Sequence, residues 1–286
     1  MTPEQERLER LVDIVMHKTI GQLGWSDARA AEIRPRLTSK GSQDHLYAAI
    51  EHTIGSPGYF QTSRKLLDVG CGTGSFVHSA LERGHESFGV DLDLDLLNLG
   101  WAKIPALGMP AQWIERTIAC DASRMPFGAD TFDLAVGHQF IEHVSEIPAT
   151  ISEMLRVVKK GGVVVLYAPE YRAPYETHYD IPWPPFATRE VAENWLRAWD
   201  RPTGGIGSFN YVTASQVAAV FEVLPCDVLH ASIDRPIDRS ASGAFDVSSP
   251  AAVAETARRM RAQYDAGTLP ENFRMATSFA VAVRKR

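Results

Sequence analysis

Apolar positions recur at helical spacing near the start of the chain. Leu8, Leu11, Val12 and Val15 share one face behind Thr2-Pro3, a pair suited to an N-cap and a first helical residue. Ser26-Asp27 opens a second helix, and residues 42–54 read as a third, stopped by Gly55-Ser56-Pro57-Gly58. At Lys65 the rhythm changes. Short apolar runs at 65–69, 87–90, 114–119, 131–136 and 163–167 alternate with helical patterns at 76–83, 95–102 and 146–159, the last broken by Gly161-Gly162. Residues 163–167 (VVVLY) have the β-branched character of a strand covered on both faces. Strands alternating with helices predict an α/β domain with a mostly parallel sheet.

After Pro169 the pattern becomes irregular. Residues 170–186 are rich in proline and aromatic side chains, and no regular element is predicted there. Helices follow at 188–199, 213–221 and 250–264, with candidate strands at 223–229 and 278–283 and a loop over 231–247. The reading is of a helical extension or cap at 1–63 and a main domain at 64–286. Residues 170–212 form a lid insertion over the acceptor site, and 231–272 a loop-helix insertion.

Composition narrows the class without naming a function. The 286 residues are 45% hydrophobic and 22% charged, ordinary for a globular protein, with a net charge of −6 and no basic block to follow a phosphate backbone. No nucleic-acid partner is therefore expected. Three cysteines, Cys71, Cys120 and Cys226, make no disulfide framework and read as reduced thiols of a cytoplasmic protein. The first twenty residues carry too many charges for a signal peptide, and no apolar stretch suits a membrane span.

The sharpest local signal is Leu66-Leu67-Asp68-Val69-Gly70-Cys71-Gly72-Thr73-Gly74, an apolar strand running into alternate glycines and then a helix. Glycines there allow positive φ and close approach of a ligand to the backbone, and the helix start offers free N–H groups. A dinucleotide fingerprint wants G-x-G-x-x-G over a pyrophosphate. Here the spacing is G-x-G-x-G, and Asp68 would repel a diphosphate but suit an α-ammonium group. The balance favours an amino-acid-bearing nucleoside. Asp91, ending the next strand, suits both ribose hydroxyls, and Asp121-Ala122, after the third, suits an adenine amine. Three acidic positions thus follow three successive strands and line one crevice.

At this point the chain resembles the class I S-adenosylmethionine-dependent methyltransferases, in particular their small-molecule, type 11-like branch. The resemblance rests on LLDVGCGTG (66–74), FGVDLD (88–93), CDASRMPFGADTFDLAVGHQFIEHV (120–144) and EMLRVVKKGGVVVLYAP (153–169), in the family's order. It implies a Rossmann-like seven-stranded sheet in the order 3-2-1-4-5-7-6 with strand 7 antiparallel, helices on both faces, and S-adenosylmethionine as cofactor. It further implies that Gly70, Cys71, Gly72 and Gly74 pass under the methionine part with Asp68 nearby. Asp91 and Leu92 would hold the ribose, Asp121 and Ala122 flank the adenine, and Gly137 and His138 lie by the methionine end. The long segment at 231–272 departs from the family pattern.

A hydroxyl acceptor must lose a proton, and histidine suits that task. His143 and His178 are the candidate bases. Glu142, Glu170, Tyr171, Tyr179 and Trp183 are candidate acceptor contacts, with Tyr175 and Phe186 completing an aromatic lid. His45, Tyr47 and His52 lie in the part of the preface expected to fold over the cofactor. The Asn/Asp-Pro-Pro-aromatic run of nucleobase amino-methyltransferases and the Pro-Cys pair of carbon-5 enzymes are absent. Glu170, Glu176, His178 and Asp180 form an acidic–histidine group, but no metal is assigned to it because the spacing fits no ligand motif; H-x-x-x-E-H at 138–143 fits none either. The expectation is a methyltransferase acting on a hydroxyl of a small molecule, such as a sugar or other natural product. An amine acceptor, a glycan or protein acceptor stacked on Trp183, Trp195 and Trp199, and a non-catalytic cofactor binder stay open. So does a homodimer.

Overall fold

The computed structural model describes residues 1–185, 187–237 and 243–286. Its centre is a seven-stranded sheet built of β1 (Lys65–Val69), β2 (Glu86–Asp91), β3 (Thr117–Ala119), β4 (Phe132–His138), β5 (Val158–Pro169), β8 (Cys226–Ile233) and β9 (Ser278–Lys285), in the order β3-β2-β1-β4-β5-β9-β8. The first five strands run parallel, and β9 is antiparallel to both its neighbours. Between β5 and β8 lies a separate two-stranded hairpin, β6 (Tyr175–Glu176) and β7 (Ile181–Pro182). Leaving that hairpin out of the count, the expected order and the antiparallel seventh strand are those found.

The helices are α1 (Pro3–Leu23), α2 (Asp27–Thr38), α3 (Asp44–Thr53), α4 (Ser75–Glu82), α5 (Leu94–Ala106), α6 (Ile147–Val157), α7 (Arg189–Ala198), α8 (Ala214–Glu222) and α9 (Pro250–Asp265). Their starts follow local chemistry. Thr2 and Gln5 form a reciprocal capping box, Ser26 caps α2, Thr188 caps α7, and Thr213 with Gln216 closes a second box. Residues α3 and α4 bury, among them Leu46, Ile50, Phe76 and Ala80, pack with Leu66, Leu134, Val136 and Val165 on one face of the sheet. Residues Ile151, Met154, Leu155 and Val217, from α6 and α8, pack with Leu67, Val69, Ala135 and Val164 on the other.

Four details differ from the sequence pattern. The helix expected to reach Lys159 ends at Val157, and Val158 already starts β5. Gly161-Gly162 sits within that strand rather than before it. The segment at 170–186, expected to be irregular, contains the β6–β7 hairpin. The candidate strand at 223–229 is shifted toward the C-terminus, and β8 runs into the expected loop at 231–247.

The stretches after β5 and after β8 also pack on one another. Tyr179, Trp183, Trp195, Trp199, Phe245 and Met260 belong to one buried cluster that also takes in Leu23 at the end of α1. This second core is built from the hairpin region, α7 and α9.

Candidate functional site

The cleft opens where β1, β2 and β4 end. The chain leaves β1 with Gly70 at φ +77 and Gly72 at φ +53, left-handed conformations that favour glycine. A Cβ at Gly70 would stand 2.3 Å from the Phe140 ring, whereas one at Gly72 would meet only Leu96, at 3.9 Å. The loop backbone therefore fits closely against Phe140 on one side and lies bare on the other. Gly70 and Cys71 donate their N–H groups to the Val90 carbonyl at 2.8 and 3.0 Å, tying the loop to β2. Gly74 precedes the first turn of α4.

Asp91 ends β2 and anchors two turns at once. Its Oδ2 accepts from the Gly72 N–H at 2.7 Å and its Oδ1 from the Asp93 N–H at 2.8 Å. Each oxygen keeps further acceptor capacity toward the cleft. Asp121 accepts from the Ser123 N–H at 2.8 Å. Gly70, Gly72, Asp91, Leu92, Asp121 and Ala122 line one cavity of about 770 Å³, within the range of small-molecule sites. Gln139, Phe140, Ser145, Glu146, Thr150 and Ser208 line it too. Gln139 and Phe140 belong to the loop after β4 that the sequence offers for the acceptor site; the sequence pattern does not single out Ser145, Glu146, Thr150 and Ser208. One signal in the structure marks Gln139, a non-glycine residue at φ +54 at the tip of β4.

Asp68 and His138 do not line this cavity. Asp68 is 6% exposed and carries no side-chain hydrogen bond among the described residues. Burial first, and the Asp91 charge second, hold its carboxyl up to about 7. His138 ends β4 with its ring edge-on to Tyr167, centroids 6.0 Å apart. Cys71 is a buried free thiol that burial pushes well above its ordinary pKa. Tyr47 is buried between α3 and α4, stacked edge-on with Phe60. His45, Tyr47 and His52 do not line the cleft.

At the opposite end of the cleft, His143 meets Glu142 and His178. Glu142 is fully buried and neither side-chain oxygen has a partner; burial raises its carboxyl to about 7. His143 Nδ1 lies 2.9 Å from the Ser208 carbonyl, and its Nε2 lies 3.9 Å from Glu142 Oε1. Burial lowers the His143 pKa. For His178 burial also acts downward, but the Glu176 carboxylate, 2.6 Å from Nδ1, outweighs it and the pKa rises. Phe209 packs on both rings, at 5.3 and 4.3 Å.

Other acceptor candidates are placed elsewhere. Glu170 is bound by the Arg172 guanidinium at 2.8 Å and by the Ala214 N–H at 3.0 Å, where it completes the start of α8. The Tyr171 hydroxyl donates to Glu176. Tyr179 and Trp183 are almost fully buried in the second core, where their apolar area is worth more against α7 than exposed over the cleft. Trp195 is fully buried, with Nε1 donating to the Pro182 carbonyl, and Trp199 nearly so. Neither indole presents a face on which a sugar could stack, which corrects that part of the glycan reading. Tyr175 donates to Asp180. Phe186 lies outside the described residues.

Residues 67–166 match a family described as a methyltransferase domain. Those residues carry a methyltransferase domain. A sterol 4-C-methyltransferase of Caenorhabditis elegans is 24% identical over 148 residues, 48% of this chain and 44% of that protein. A ubiquinone biosynthesis O-methyltransferase of Photorhabdus laumondii is 27% identical over 101 residues, 35% of this chain and 41% of that protein. The match thus spans less than half the length of these curated relatives. In fold, the methyltransferase domain and its surroundings are similar to a SAM-dependent methyltransferase from Archaeoglobus fulgidus. The TM-score there is 0.50 and the identity 17%, covering 91% of this chain and 100% of that one. Among the described residues no helix is long and apolar enough to cross a membrane.

Proposed function

We propose that this protein binds S-adenosylmethionine across the strand tips and methylates a hydroxyl oxygen of a small molecule. The observation that carries the cofactor half is Asp91 beside the glycine loop in one cleft, with buried Asp68 near the tip of the adjoining β1. Asp91 offers acceptor capacity to a ribose beside a bare Gly72 backbone, and buried Asp68 lacks a partner of the kind an ammonium group provides. The donor set fits this cofactor better than a dinucleotide, whose diphosphate would approach two aspartates, Asp68 and Asp91. Leu92, Ala122 and the loop glycines supply apolar and close-contact surface for the nucleoside and methionine parts, with Cys71 and His138 flanking the loop and β4.

When bound, S-adenosylmethionine supplies a methyl group on a sulfonium that departs as a neutral thioether. The chain's own task is alignment and proton removal. An acceptor oxygen forms its new bond to carbon as the carbon–sulfur bond breaks, and its proton passes to the cluster of Glu142, His143 and His178. The two relatives are named for a carbon and an oxygen acceptor respectively, so their names do not choose the atom. Two imidazoles beside a buried carboxylate at the end of the cleft favour oxygen, since an amine need only arrive unprotonated. A side groove of about 450 Å³ shares Ser145 with the cleft and is walled by Ile147, Phe209, Tyr211 and Val217. It suits an acceptor that carries apolar surface next to its hydroxyl.

Titration calorimetry with S-adenosylmethionine tests the cofactor half. Wild-type protein is expected to bind, and Asp91→Ala to weaken binding at least tenfold, because a hydrogen bond to a charged group is worth about 1.5–3 kcal/mol. Absence of binding, or indifference to the substitution, would end the reading.

A further inference from the structure

Glu142 and His143 follow β4, and His178 lies in the turn between β6 and β7. One donor atom from each of the three residues lies within 4.8 Å of the other two. Two observations set this trio apart from a chance cluster. Glu142 is 0% exposed, faces His143 Nε2 at 3.9 Å, and neither of its oxygens has a hydrogen-bond partner. A buried carboxylate without partners requires something cationic or protic in front of it. Each imidazole, meanwhile, has its Nδ1 engaged from behind: His143 by the Ser208 carbonyl at 2.9 Å, His178 by Glu176 at 2.6 Å. A proton on each Nδ1 leaves each Nε2 as a lone-pair donor, the arrangement ligating histidines show with a carbonyl or carboxylate behind them. Glu176 is itself fixed by the Tyr179 N–H at 2.7 Å and the Tyr171 hydroxyl at 3.3 Å.

We propose that Glu142, His143 and His178 hold a divalent first-row transition ion through one carboxylate and two Nε2 atoms. Two imidazoles favour a zinc- or iron-like ion over magnesium or calcium, which prefer all-oxygen shells. Metal–ligand bonds of about 2.1 Å require the three donors to draw together. The His143 side chain, 38% exposed, can rotate inward to do so. Three protein ligands leave a position open, and it faces the cleft that His143 lines. An acceptor hydroxyl placed there would be made more acidic by the ion; the histidines would then act as ligands, and the proton would leave to water in the cleft in place of the transfer to the cluster described above. That last step rests on the methyl-transfer reading; binding of the ion does not.

The test uses untagged full-length protein stripped with EDTA and titrated with Co²⁺, followed by visible d–d absorption, with Zn²⁺ and Mg²⁺ as competitors. One ion per chain is expected, at micromolar affinity or tighter, displaced by Zn²⁺ and not by Mg²⁺. His178→Ala and Glu142→Gln should each abolish the band, and Glu176→Gln, a positioning change, should weaken binding about 10–100-fold. Cofactor calorimetry on the same variants serves as the folding check, and the more exposed His143→Ala replaces any variant that fails it. No d–d band, a band that survives His178→Ala, or displacement by Mg²⁺ overturns the proposal. Cobalt binding without cofactor binding would sink the methyl-transfer reading and leave the metal site standing; the reverse would do the opposite.

Discussion

Asp68 is buried in β1 without a hydrogen bond among the described residues, and burial together with Asp91 holds its carboxyl at about 7. An unfolded aspartate titrates near 3.9. The folded chain therefore favours the protonated form. The stability this confers is complete below about pH 3.9 and lost as pH rises through 7. Between those two values each step of one in pH is worth about 1.4 kcal/mol, so full ionisation costs the free protein up to about 4 kcal/mol. Asp68→Asn should therefore raise the melting temperature of the free protein at pH 8, and raise it less at pH 5. A cofactor ammonium reverses the sign, because it favours the charged carboxylate. Cofactor affinity should strengthen up to tenfold for each step of one in pH toward 7, then fall above about 8 as the α-amino group itself deprotonates. Asp68→Asn should flatten the lower limb. Thermal melts and calorimetry across pH measure both effects. A variant that weakens cofactor binding with no stability gain above pH 7 would show that the charge on Asp68 is not what matters.

At the scale of elements, what could be read from the chain was what neighbours in sequence decide. Thr2 and Ser26 marked helix starts because a cap needs only the next three residues. The strand-tip positions of Asp68, Asp91 and Asp121 were legible because each adjoins its strand covalently. The boundary at Val158 was not, since an apolar residue satisfies a helix face and a strand equally well and no loop intervenes. Nor was the second core. Burial of Trp195 against Phe245 joins segments far apart in the chain, and no local period encodes that pairing. For the same reason the tryptophans read as exposed stacking surfaces, and the meeting of Glu142 with His178 went unseen. Trp195→Ala should cost about 3–5 kcal/mol, the usual range for a buried aromatic truncation. It removes the Nε1 bond to Pro182 at the end of the hairpin that carries His178. Cobalt binding should therefore fall more than cofactor affinity, as denaturant titration and calorimetry on one preparation would reveal. Parallel losses would mean the second core supports the whole cleft rather than its acceptor end.

At the scale of the whole molecule, α1 joins the two cores. Leu8, Val12, Val15 and Met16 pack with Leu99 and Ala102 of α5, while Leu23 is buried with Trp199 and Ile206 in the second core. Just beyond the helix, the Arg201 guanidinium donates to the Gly24 carbonyl and Trp25 Nε1 donates to the His178 carbonyl at 2.6 Å. At the rim of the cleft Lys18 pairs with Asp95 at 2.6 Å, but both side chains are nearly half exposed, so that pair adds little to stability. The apolar contacts at the two ends of α1 therefore carry the coupling. The free protein should unfold in one cooperative transition, seen alike by near- and far-ultraviolet circular dichroism. S-adenosylhomocysteine, the demethylated product, at 100 times its Kd should add about 2.7 kcal/mol. At roughly 2–4 °C per kcal/mol for a domain of comparable size, that moves the entire transition upward by about 5–11 °C. Removing residues 1–23 should split it in two, with the ligand shifting the sheet and leaving α7 and α9 behind. A full-length protein that already melts in two steps, or a truncated one that still melts in one, would show that α1 does not carry the coupling.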